Sequence, residues 1–82
     1  MSMAKDDFKV ERKTGLNGQL QAFVTHRASG YMLAAARQWP GKQATVEVHG
    51  GYRMTLAEAD SVGQALRIAI REARRLDREG AK

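Results

Sequence analysis

The sequence predicts an α+β fold: a three- or four-stranded antiparallel β-meander followed by one long C-terminal amphipathic helix packed on one sheet face. Three observations carry the prediction. Residues 55–79 repeat apolar side chains at helical spacing behind a capping signal. Residues 8–49 break into short alternating runs bounded by turn residues. The links between those runs are short, which favours antiparallel neighbours in a single layer that a helix then covers.

Residues 1–7 are polar and without period, and read as a flexible arm; residues 8–82 form a single α+β domain. Phe8 to Lys13 alternates apolar and polar through Glu11, as a half-buried strand does. Thr14-Gly15-Leu16-Asn17-Gly18 is a turn, because Asn and Gly accept positive φ. Gln19 to Arg27 is a second strand, with Leu20, Ala22 and Val24 on one face and Phe23 and Thr25 on the other.

Residues 31–39, between Ala28-Ser29-Gly30 and Pro40-Gly41, admit two readings. Three consecutive alanines and Ser29 as a cap suggest helix; nine residues between hairpin-like loops suggest a third strand. The strand reading is preferred. It puts Tyr31, Leu33 and Ala35 on one face and Met32, Ala34 and Ala36 on the other. Ala44 to His49 is the clearest strand, with Ala44, Val46 and Val48 inward and Thr45, Glu47 and His49 outward. Gly50-Gly51 then turns the chain.

Thr55-Leu56-Ala57-Glu58 has capping-box spacing. Ala59, Val62, Leu66, Ala69, Ala73 and Leu76 make the buried stripe, with Ala65 and Ile70 at its margins and Ile68 on the polar side. The helix outruns the sheet, so its last turns should overhang. Gly80 offers a left-handed stop. Gly63 sits beside the stripe, where a close backbone contact would explain a residue that costs about 1 kcal/mol relative to alanine.

An 82-residue chain holds one core and buries a modest share of its surface, so self-association would help it. No cysteine is present, which removes disulfides and thiolate zinc sites and suits a reducing cytoplasm. No apolar run approaches a membrane span of about 20 residues. The pI near 10.1 and net charge of +5 favour acidic partners. Residues 1–54 hold +4 of that charge and residues 55–82 hold +1.

Catalytic and metal constellations are not legible. His26 and His49 lack further ligands at metal spacing. None of the three serines sits in a nucleophile elbow. Pro40-Gly41-Lys42-Gln43 fails as a phosphate loop, with Ala36 where its first glycine belongs and Gln43 where Ser or Thr belongs. The sequence is therefore read as non-enzymatic, with no catalytic or metal residue, no cofactor and no small-molecule substrate. The strand–strand–strand–helix order also occurs at the end of the double-stranded-RNA-binding domain. That domain has a lysine cluster where this helix begins with Glu58 and Asp60, which would repel phosphate.

Two functions follow as expectations. The first is a non-catalytic protein-binding module, regulatory or of the phage accessory type, which occludes a surface on a host or cellular protein. Its interaction residues would be Phe23, Tyr31, Leu33, Trp39 and Ile68. Apolar residues on both faces of the third strand would make it a homodimer through the sheet. The second is a nucleic-acid binder using Arg67, Arg71, Arg74, Arg75 and Arg78 of the helix with Arg37, Lys42 and Arg53, where nearby aromatics would stack bases. Against it, Glu72–Arg75, Arg74–Asp77 and Arg75–Glu79 have the spacing of intrahelical ion pairs.

Overall fold

A computed structural model describes residues 7–50 and 53–80. The arm, Tyr52, and the Gly51 half of the glycine turn lie outside the described residues. Strands β1 (Phe8–Thr14), β2 (Leu20–His26), β3 (Met32–Gln38) and β4 (Thr45–Val48) form one antiparallel sheet in the order β1-β2-β3-β4, and helix α1 (Leu56–Gly80) follows. The meander and covering helix are as predicted. The 31–39 segment is strand, over Met32–Gln38, and not helix: its three alanines pair with β2 on one side and β4 on the other.

The β1–β2 turn is a short 3-10 segment, Leu16–Gly18, with Asn17 at φ 66° and Gly18 at φ 80°, the conformation these two residue types tolerate. Register places Phe8, Val10 and Arg12 beside His26, Val24 and Ala22 on the helix-facing side, continued by Ala34 and Ala36, then Val48 and Val46. The pairing shifts between Val24 and Thr25. That bulge corrects the alternation expected for β3. Met32 pairs with Thr25 on the open face, and Leu33 packs with Ala34 against the core instead of sharing a face with Ala35.

The core is thin because it is built from alanine. Ala22, Ala34, Ala36, Ala65 and Ala69 are fully covered, and Phe8, Val24, Ala73 and Leu76 complete it. Short side chains on both layers let the helix lie close to the sheet. The helical stripe is turned from the predicted one. Ala65 is central, not marginal; Ala59 and Ile70 are exposed; Ile68 packs on the Phe8–Val24–Ala34 cluster, not toward solvent. The buried line runs through Ala65, Ala69, Ala73 and Leu76, where short side chains meet the sheet at close range.

The capping box forms: the Thr55 N–H donates to Glu58 Oε1 at 2.9 Å, and the Glu58 N–H donates to Thr55 Oγ1 at 3.1 Å. Twenty-five residues give a rod of about 37 Å, nearly the 39 Å length of the molecule. Residues 56–60 are all exposed, so the first turn overhangs; toward the other end, where the overhang was expected, Asp77 is bonded to Gln38 and Ala44. The helix continues through Gly80 instead of stopping before it. Among the described residues no heavy atom outside the helix backbone lies within 4 Å of where a Cβ on Gly63 would stand, so no contact within the subunit explains that glycine.

Candidate nucleic-acid interface

The arginines of α1 divide into two groups. Arg67, Arg71, Arg74 and Arg78 are exposed on the side diametrically opposite the buried face and follow one another over roughly 16 Å of helix axis. Arg75 is turned inward and held by Glu72 at 3.0 Å and by Glu79. The expected Arg74–Asp77 pair does not form. Asp77 instead accepts from Gln38 Nε2 at 3.1 Å and from the Ala44 N–H at 2.7 Å, tying the helix to the start of β4.

Each carboxylate of the helix has such an occupation. Glu58 caps, Asp60 accepts from Gln64 Nε2 at 3.0 Å, and Glu79 holds Arg75. Glu72 takes a bidentate contact from Arg12 of β1, at 2.9 and 2.8 Å, plus Arg75. Hydrogen bonds from Arg12 hold the Glu72 carboxyl below its ordinary value against the opposing pull of burial, with Arg75 adding to the shift; the same pairing holds the Arg12 guanidinium above its own. Among the described residues no carboxylate lies within ion-pair distance of Arg67, Arg71, Arg74 or Arg78.

The remaining basic residues do not join this row. Arg37 lies on the open sheet face, its guanidinium 5.3 Å from the centre of the Phe23 ring, with Nε 3.2 Å from Glu47 in an ion contact too misaligned for a hydrogen bond. Burial pushes the Glu47 carboxyl up, but Arg37 and then His49 outweigh it, leaving the group below its ordinary value. Lys42 stands in the β3–β4 turn, where its N–H donates to the Trp39 carbonyl at 3.0 Å. Arg53 precedes the helix at the other end of the molecule.

The interaction residues scatter likewise. Leu33 and Ile68 pack on the core. Tyr31 (71% exposed) and Trp39 (51% exposed) flank opposite ends of β3. Tyr31, Leu33, Met54 and Val62 line a cavity of about 430 Å³ between the sheet end and the start of α1, rimmed by His26, His49 and Arg53. His26 Nδ1 lies 3.1 Å from Ser29 Oγ, which accepts the Tyr31 N–H at 3.3 Å; this arrangement closes the β2–β3 turn.

Phe23 stands on the open face as expected, between Arg37 and Lys13, whose Nζ is 5.7 Å from its ring centre. Ala35 beside it is fully covered, and Lys9–Glu11 and Arg37–Glu47 occupy much of the same face. Lys13 was missed as a partner of Phe23, although its place opposite Gln21 at the end of β1 follows from the hairpin register. Arg12 and Glu72 were also missed as a pair. The legible signal was parity: both sit at core-facing positions, where a charge demands a partner.

Among the described residues no three His, Cys, Asp or Glu side chains gather as a metal site, and no helix is long and apolar enough to cross a membrane. No known protein family, no curated protein and no solved structure matches this chain.

Proposed function

We propose that this chain is a non-catalytic nucleic-acid-binding protein that holds phosphates along the outer face of α1. One observation carries the reading: Arg67, Arg71, Arg74 and Arg78 are aligned and exposed, while the helix carboxylates are occupied elsewhere. An exposed row of cations without counter-charges attracts polyanions and releases their counterions. A cysteine-free chain with a pI near 10.1 suits the cytoplasm, where the proposal puts it.

Fluorescence anisotropy with labelled single strands and duplexes tests this. The double variant Arg71→Glu/Arg74→Glu should lose about tenfold or more in affinity. Lys9→Glu/Arg27→Glu, which changes net charge equally, should retain most of it. Equal losses in both variants would reduce the row to a share of the net charge.

The end cavity favours a second reading, the regulatory protein-binding module. Its apolar lining, which also holds Arg53 and Glu58, fits a segment of a host or cellular protein carrying one large apolar side chain. A photo-crosslinker at Tyr31 should then give one discrete adduct in cells, and the same probe at Leu16 should give none. Indistinguishable adduct patterns at the two positions would sink that reading.

A further inference from the structure

We infer that α1 carries a second, self-complementary apolar face through which two copies of this chain pair antiparallel. It is a different surface from the open sheet, and the inference does not rest on the nucleic-acid reading. At about 100° per residue, Ala59, Gly63, Leu66 and Ile70 align on a flank roughly 110° around the helix from the buried side. Asp77 of the same flank reaches Ala44, so this flank looks out over the β4 edge of the sheet. Ala59 is exposed, Ile70 is 36% exposed, and among the described residues a Cβ on Gly63 would meet nothing within 4 Å outside the helix's own backbone.

The order of sizes selects the occupant. The flank reads small, small, large, large from its N-terminal end. A parallel copy would set small against small and leave a gap. An antiparallel copy, related by a two-fold axis between Gln64 and Ala65, sets Leu66 of each copy into the notch at Gly63 of the other and Ile70 against Ala59. Charge agrees with shape. The same two-fold brings Asp60 of one copy beside Arg67 of the other, on the rim of the contact, and the two helix dipoles oppose. Asp60 holds only Gln64 within its own subunit, and Arg67 has no carboxylate partner among the described residues. The glycine unexplained inside one subunit thereby gains a close contact between two. Arg71, Arg74 and Arg78 stay in solvent.

Sedimentation equilibrium on the full chain tests this. The wild type should weigh about twice its 9.1 kDa at micromolar concentration. Gly63→Leu fills the notch and should weaken dimerisation at least tenfold while circular dichroism stays helical. Asp60→Arg and Arg67→Asp should each weaken it severalfold, and the double variant Asp60→Arg/Arg67→Asp should recover most of the loss. Both charged residues are exposed, so these variants fold. A wild type that stays monomeric, or a dimer indifferent to Gly63→Leu and to the single charge reversals, overturns the proposal. Nucleic-acid affinity of a monomeric variant reads separately on the arginine row.

Discussion

Glu72 and Arg12 illustrate how the fold uses charge inside its thin core. The Glu72 side chain is only 9% exposed, but it receives two hydrogen bonds from Arg12 and one from Arg75, which link an outer strand to the helix. Such charge-assisted contacts contribute more than neutral ones. The Arg12 side chain is 58% exposed, so solvent screens part of the attraction, and Glu72→Gln should cost about 1–2 kcal/mol in urea unfolding at pH 7. The folded-state carboxyl lies below its unfolded value. Its contribution is therefore complete above the unfolded value near 4.5 and fades as pH falls through the lower folded value. The wild-type urea midpoint should hold between pH 7 and 5 and drop below about pH 4. In Glu72→Gln that drop should be smaller. An identical acid profile in both proteins would remove Glu72 as its source.

At the scale of elements, the helix is fixed by its cap and by its alanines. Thr55 and Glu58 satisfy each other's backbone N–H groups at an exposed helix start. Thr55→Ala should cost about 1 kcal/mol, read as a lower thermal midpoint with unchanged nucleic-acid affinity. Ala69 is fully covered between Phe8, Val24 and Ala34. Ala69→Leu forces the layers apart and should destabilise by about 1–3 kcal/mol, while Ala57→Leu on the exposed first turn should leave thermal stability nearly unchanged. Comparing the two melting curves shows whether layer spacing, not hydrophobicity, is what the alanines set. Strand existence was legible from alternation and turn residues, because each strand has one helix-facing side. The side taken by Leu33 was not, because a bulge inserts a residue that no local pattern marks.

For the molecule as a whole, surface chemistry differs between the two outer faces. The sheet face pairs its charges locally, Lys9 with Glu11 and Arg37 with Glu47. The helix face leaves its arginines to solvent. The apolar residues that suggested a dimer through the sheet are mostly accounted for within one subunit: Leu33 joins the core, Ala35 is covered, and Phe23 lies between two cations. If the helix row binds nucleic acid, log affinity should fall with log salt at a slope near −3 for three to four phosphate contacts. Arg71→Glu/Arg74→Glu should flatten that slope by roughly 1.5 to 2. A slope unchanged by the substitution would mean the phosphates are bound elsewhere.

The sequence by itself determined the meander, the capped helix and the arginine face opposite the sheet, because alternation, helical period and turn chemistry act over a few neighbouring residues; residues 31–39 fitted both helix and strand, and lateral pairing with β2 and β4 decided for strand. Only the tertiary structure decided which carboxylates those arginines would meet. Asp77 has the spacing to pair with Arg74, but it turns to Gln38 and Ala44. Glu72 reaches back sixty residues to Arg12. Partner choice for a charge depends on distances across the chain that no local spacing encodes, and those choices leave one row of cations free to act outward.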